Sequence, residues 1–324
     1  MAAVSPARGS PGTRMTRHII HVGFPKCGST ALQAWFSERP GLTFTVVGLP
    51  ADGETFSLPT PDDAATSVED GGIHVTSSEH FAAPLPDYSR RTSVVGRRES
   101  SCHRLRSVFG EATILIVTRG FPGVLVSHYV QGVRGGLFLS PRTFFLRRHG
   151  PRGREGVEDY FDYDAAVALY ERVFGTEHVV VLPYEWLRDD PEAFTAELEA
   201  RLELPVSGTT PPFRNPALTA TELTWYPRLN LLAWLASLLF LARHRSALRR
   251  YHALLDQGRM RPLADLLGRA TPKSFTRRRT AKVPQKVLQR CRDRSIELSR
   301  RDLYAPYRDV YAGARAIQNV THVG

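Results

Sequence analysis

The chain predicts an α/β fold: a mostly parallel central sheet flanked by helices in three layers, then a helical C-terminal extension. Three observations point there. Short, nearly continuous apolar runs occur at Arg17 to Gly23 (RHIIHVG), Ala112 to Thr118 (ATILIVT) and His178 to Pro183 (HVVVLP), as expected of central strands covered on both faces. Helical periodicity fills the stretches between them, and alternation of this kind belongs to parallel sheets. Beyond Pro205 the pattern becomes wholly helical and rich in arginine.

Taken in order, the first strand leads into a helix at Ser29 to Glu38. Thr43 to Val47 and Ile73 to Ser77 are weaker strand signals. Helical patterns follow at Val94 to Val108, Pro122 to Val133, Asp164 to Phe174 and Pro191 to Leu202, and a last helix is expected over Pro284 to Arg300. Ser140 to Gly156 reads as a basic loop able to act as a flap. The first sixteen residues, rich in Pro, Gly, Ser, Ala and Arg, lack the apolar core of a secretory signal and read as a disordered tail. Met15 is a second candidate start. Residues 17–324 are expected to form one domain, with 17–204 as the α/β core and 205–324 as the basic helical extension.

With 42% hydrophobic and 23% charged residues among 324, the chain is too apolar for a disordered protein. Its three cysteines, Cys27, Cys102 and Cys291, provide neither a disulfide framework nor zinc-ligand spacing. Such sparse use suits a reducing, cytoplasmic compartment. The net charge is +11, unevenly spread. Arg243 to Arg301 holds 18 basic and 4 acidic residues, a surplus of 14 that leaves the rest of the chain at −3. That segment is expected to face phosphate, sulfate, an acidic polymer or a membrane. The most apolar run, Leu231 to Ala242 (LLAWLASLLFLA), falls short of the roughly 20 residues that span a bilayer. It reads first as a buried core helix; the alternatives are the wall of a greasy acceptor pocket or a peripheral membrane contact over 231–245.

Ligands of parallel sheets bind at the carboxyl ends of strands, so the strand–helix junctions carry the chemistry. The first reads Gly23-Phe24-Pro25-Lys26-Cys27-Gly28-Ser29-Thr30. A tight loop ending at a helix N-terminus offers unpaired N–H groups and a positive dipole end to an oxyanion. Gly23 and Gly28 have the spacing of a nucleotide-triphosphate loop, but Ser29 stands where its lysine should follow. The nearby cation is Lys26, inside the loop and positioned to reach the bridging oxygen of a bound anhydride. The strand Ala112 to Thr118 ends in Arg119, where a magnesium-dependent nucleotidase carries an Asp. A guanidinium binds phosphate bidentately and no metal. Ser127, eight residues on, can turn a hydroxyl toward the same anion. Two anion sites without a metal carboxylate suggest a ligand with two separated phosphates and no magnesium.

These segments resemble those of sulfotransferases that use 3′-phosphoadenosine 5′-phosphosulfate (PAPS), whose P-loop-like loop reads Pro-Lys-x-Gly-Thr-Thr or close variants. GFPKCGSTALQAW is similar to their 5′-phosphosulfate loop, and Arg119 to Tyr129 (RGFPGVLVSHY) to their 3′-phosphate motif. Leu182-Pro-Tyr184-Glu185-Trp-Leu is similar to their Tyr-Glu segment. The resemblance covers about residues 17–204 and lies closer to bacterial and carbohydrate-type members. It implies PAPS as donor, 3′,5′-bisphosphoadenosine as product and no metal. Lys26 would act on the departing phosphate, which Cys27, Gly28, Ser29 and Thr30 would hold. Arg119 and Ser127 would bind the 3′-phosphate, and Tyr184 would lie near the adenine. The acceptor is expected to be a hydroxyl or amine of a carbohydrate, lipid or secondary metabolite on the side of 205–324. Ser29 departs from the commoner Thr. No Arg-Lys-Gly element is evident, and Arg277, Arg278 or Arg279 would close over the 3′-phosphate in its stead.

In the same family the strand end after Ile73 supplies the general base, so Glu79 and His80 both qualify. Cys27, at a helix N-terminus beside Lys26, has the setting of a lowered thiol pKa, though an incidental neighbour is the simpler reading. His128 and Tyr129 can line the site; His18 and His21 read as core or boundary histidines and Trp35 as helix core. Arg214-Asn215 can gate the acceptor side. An ATP-dependent small-molecule kinase is the rival enzyme reading. A basic nucleic-acid-binding protein is the non-enzyme rival, disfavoured because Arg243 to Arg301 interleaves few aromatics and shows no recognition module.

Overall fold

The computed structural model describes residues 16–47, 72–83, 92–148, 153–212, 218–239, 245–270 and 281–313. Five strands, β1 (Arg17–Val22), β2 (Leu42–Val46), β3 (Ile73–Ser78), β4 (Ala112–Thr118) and β5 (Val179–Pro183), form one sheet in the order β2-β3-β1-β4-β5. Every pairing is parallel, with Val22 beside Ser78 and Thr118 beside Pro183. All five lie within a residue or two of the expected runs. β1 occupies the middle, and the connection after β3 crosses it to reach β4. Strand order therefore reverses between β1 and β4, which makes their carboxyl ends the crevice of the sheet.

Strand residues alternate between two cores, which is the physical content of three layers. Ile20, Val22, Ile114, Ile116, Val179 and Val181 join one cluster. Ile19, Leu115, Val117, Val180 and Leu182 join the other. The first cluster packs under α2 (Val94–Phe109), α3 (Phe121–Arg134) and α6 (Tyr163–Phe174). The second packs under α1 (Ser29–Ser37) and the pair α7 (Tyr184–Asp189) and α8 (Pro191–Arg201). Trp35 belongs to this core: it is 2% exposed, its Nε1 donates to the Thr209 carbonyl at 3.1 Å, and the Arg39 guanidinium lies 4.3 Å over its ring. His21 is buried with Nδ1 2.8 Å from Ser77 Oγ, and His18 packs on His74 and Phe109. His21 is a core histidine and half-buried His18 a boundary one.

Three expectations need correction. The segment after Ser140 is not all loop. Ser140 Oγ accepts the Thr143 N–H at 3.2 Å and Pro141 opens the turn, so α4 (Pro141–Leu146) forms, with α5 (Val157–Tyr160) further on. The last helix is interrupted. α12 (Gln285–Arg292) closes with tight turns at Arg294 and Ser295, and α13 (Ile296–Ser299) starts anew. The Asp164 carboxylate causes this restart by accepting the N–H groups of Glu297 and Leu298 at 3.1 and 2.9 Å. Third, the apolar run from Leu231 is not a buried core helix. It lies in α9 (Ala220–Leu239) with Leu231, Leu232, Trp234 and Leu235 exposed. α9 packs on α10 (Arg245–Asp256) and α11 (Arg261–Arg269), and among the described residues no helix is long and apolar enough to cross a membrane. A 3-10 turn at Asp302–Tyr307 and α14 (Arg308–Tyr311) complete the described chain.

Candidate functional site

The loop after β1 is shaped by two residues in the left-handed region: Lys26 at φ 68° and Gly28 at φ 90°. For lysine that conformation costs energy and persists only where surroundings enforce it, commonly at functional sites. Gly28 is required by space as well. A Cβ there would fall 2.9 Å from the Tyr184 ring. The Cys27 N–H closes a turn on the Phe24 carbonyl at 3.3 Å, and α1 then begins with no side-chain cap. The first-turn N–H groups at Ser29 and Thr30 face the loop mouth with the positive end of the helix dipole. Ser29 is buried with Oγ donating to the Phe24 carbonyl at 3.4 Å, whereas Thr30 is exposed.

The end of β4 turns toward this loop. Arg119 Nη1 donates to the Lys26 carbonyl at 3.0 Å, and its guanidinium stacks 4.5 Å over the Tyr184 ring. Lys26, Arg119 and Tyr184, from the ends of three neighbouring strands, thus share one cleft. Lys26 Nζ donates to Gln131 Oε1 at 3.1 Å. Gln131 lies four residues after Ser127 on α3, and residues so spaced share a helix face. Half-buried Ser127 therefore shares a helix face with Gln131.

Beneath Arg119 lies a buried polar scaffold. Tyr163 Oη donates to the Arg119 carbonyl at 2.8 Å, and Glu185 Oε1 accepts the Gly120 N–H at 3.0 Å. Tyr311 Oη donates to Glu185 Oε2 at 2.9 Å and lies 3.1 Å from Thr118 Oγ1, which also meets Tyr304 Oη at 2.7 Å. Sequence reasoning assigned no role to Gln131, Tyr163 or Tyr311 and used Glu185 only as part of a motif. Helical spacing from Ser127 was a signal for Gln131. Nothing local marks Tyr311, which arrives from the far end of the chain.

Glu79 follows β3 and abuts the loop: a Cβ on Gly23 would fall 2.9 Å from Ser29 Oγ and 3.4 Å from Glu79 Cα. Burial pushes the Glu79 pKa up, and Lys26 and a hydrogen bond with Ser29 pull it partly back. His80 is held below its ordinary value by burial, opposed by a hydrogen bond with the Ala83 backbone. Glu79 thus feels the Lys26 charge, while His80 is tied to the following turn. His128 is wedged among Phe144, Tyr160 and Phe161, and burial with Lys26 nearby takes it down to about 4. Tyr129 is packed, its hydroxyl donating to the Leu139 carbonyl at 3.0 Å. The setting for a lowered Cys27 pKa is overturned. The thiol is buried 3.9 Å from Tyr163 Oη, and burial drives its pKa up despite Arg119. Arg214-Asn215 and Arg277 to Arg279, Arg278 included, lie outside the described residues.

Sequence comparison finds no matching family model and no matching curated relative. Among solved structures the chain is similar to a sulfotransferase from Alicyclobacillus acidocaldarius, with a TM-score of 0.43 and 21% identity over 72% of this chain and 98% of that one. It is also similar to a mouse sulfotransferase complexed with PAP, with a TM-score of 0.33 and 16% identity over 59% of this chain and 60% of that one. The likeness is one of fold.

Chemically, the cleft offers a cation on a strained loop, a helix N-terminus, a stacked guanidinium and a carboxylate of raised pKa. Among the described residues no group of three or more His, Cys, Asp or Glu side chains converges as a metal-ligand set.

Proposed function

We propose that this chain is a sulfotransferase that moves the sulfuryl group of PAPS to a hydroxyl or amine of a carbohydrate, lipid or secondary metabolite. The observation that carries the reading is the 3.0 Å bond from Arg119 to the Lys26 carbonyl, which brings together the two strand ends read as anion sites. A donor with phosphates at both ends of an adenosine fits that pairing. A nucleoside triphosphate would ask for a metal-holding carboxylate where Arg119 stands.

In this reading the Cys27–Thr30 turn and the Ser29 and Thr30 hydroxyls hold the 5′-phosphate, Arg119 and Ser127 hold the 3′-phosphate with Arg278 closing over that phosphate, and Tyr184 lies against the adenine. Lys26 neutralises charge on the departing phosphate. Glu79, with His80 as the alternative, takes the acceptor proton as the acceptor oxygen or nitrogen bonds to sulfur. The bond from sulfur to the 5′-phosphate oxygen breaks in line, and 3′,5′-bisphosphoadenosine leaves. The transition state is loose and its charge lies on peripheral oxygens, so positioning and electrostatics supply the catalysis. The helical extension forms the acceptor side. Three free, buried cysteines agree with a reducing, cytoplasmic setting.

Thermal unfolding with 3′,5′-bisphosphoadenosine, with ATP plus magnesium, and with oligonucleotide tests the reading. A ligand at 100 times its Kd stabilises by about 2.7 kcal/mol. A shift with the bisphosphate alone is expected; a shift only with ATP and magnesium replaces this proposal with the kinase reading. A mass-spectrometric screen for the gain of one sulfo group then identifies the acceptor.

A further inference from the structure

The helical extension leaves an apolar ridge in solvent. Leu232 is 61% exposed, and Leu231, Trp234 and Leu235 about 40% each, along α9. Leu266 on the packed helix α11 is 63% exposed. Isolated exposed leucines are ordinary, but a contiguous ridge carrying a tryptophan marks an interaction surface. A cleft of about 420 Å³ adjoins it, lined by Tyr129, Phe138, Leu139, Leu223, Pro227 and Leu231 among others. Leu231 belongs to both ridge and cleft, and the Phe138 ring lies 5.2 Å from that of Trp234.

Charge selects the occupant. Exposed Arg250 precedes exposed Leu254 by four residues on α10, and exposed Arg269 follows Leu266 by three on α11, so cations share faces with the leucines. Residues 245–270, which hold α10 and α11, carry six arginines and two aspartates, a surplus of four. Two copies meeting here would set that charge against itself, whereas an anionic lipid surface complements it. Exposed leucines and a tryptophan on α9, with exposed arginines on the two helices packed against it, are the composition of a segment that lies in the bilayer interface.

We propose that α9, with α10 and α11, docks this protein on an anionic lipid bilayer, with the Leu231–Leu235 ridge among the acyl chains and the adjoining cleft taking one chain. The docking does not depend on the sulfotransferase reading.

Flotation with vesicles of phosphatidylcholine alone, and of phosphatidylcholine mixed with phosphatidylglycerol, tests it. The protein should bind the mixed vesicles at least roughly tenfold more tightly, and salt should release it. Leu232→Glu with Trp234→Glu should abolish flotation, and Arg250→Glu with Arg269→Glu should remove the preference for anionic lipid. Melting temperature and 3′,5′-bisphosphoadenosine binding should stay as in the parent protein, which separates this outcome from misfolding and from failure of the donor reading. No flotation, flotation indifferent to anionic lipid, flotation untouched by the ridge substitutions, or a ridge-dependent dimer that ignores vesicles each overturns the proposal.

Discussion

At Gly28 two demands coincide, a φ of 90° and the Tyr184 ring 2.9 Å from where a Cβ would sit. Gly28→Ala should therefore cost about 1–3 kcal/mol and weaken donor binding, both readable by denaturant titration and calorimetry. Glu79 gives a pH prediction. Its carboxyl is raised by burial, and a base must be deprotonated, so activity should rise with pH through a midpoint above the ordinary carboxylate range. Lys26 pulls that pKa down, so the residual activity of Lys26→Ala should show the rise at higher pH, and Glu79→Gln should lack it. A pH profile of kcat/KM checks both; a rise that survives Glu79→Gln transfers the role to His80. Lys26 and Arg119 stood out in the sequence because each follows a strand whose apolar run is plain; Glu79 follows the weaker signal of Ile73 to Ser77 and stood out through the family resemblance. Gln131 and Tyr163 did not, since their roles exist only once α3 and α6 lie beside the loop. The Cys27 thiol misled because proximity to a lysine was visible in the sequence and burial was not.

Among the elements, the strands were easiest to read, because a parallel strand covered on both faces must be apolar almost throughout. Helix ends set by distant groups were not legible. Asp164 starts the second of two C-terminal helices from about 130 residues away. The same holds for the C-terminal segment, which returns under the Arg119 turn: a Cβ on Gly120 would fall 2.6 Å from the Val310 side chain, and Tyr311 donates to Glu185. Tyr311→Phe removes that donor and leaves a buried carboxylate oxygen short of a partner. We expect a loss of about 1–3 kcal/mol in stability, together with a higher KM for the donor, because Glu185 also fixes the Gly120 N–H beside Arg119. Chemical denaturation and steady-state kinetics read the two effects separately. Unchanged donor KM would limit Tyr311 to a packing role.

For the molecule as a whole, sheet order places the crevice between β1 and β4, and the chain puts a strained lysine loop on one side and an arginine turn on the other. Composition announced an uneven charge, concentrated after Arg243. It did not announce that α9 would leave its leucines in water, because an apolar run reads alike whether it faces a core or a surface. The central claim is that one cleft grips both ends of a bisphosphorylated adenosine. Calorimetric titration of the parent protein and Arg119→Ala with 3′,5′-bisphosphoadenosine and with adenosine 5′-monophosphate measures it directly. The account predicts that Arg119→Ala loses about 1.5–3 kcal/mol of affinity for the bisphosphate and almost none for the monophosphate. Equal losses for both ligands, or no loss for either, would contradict it.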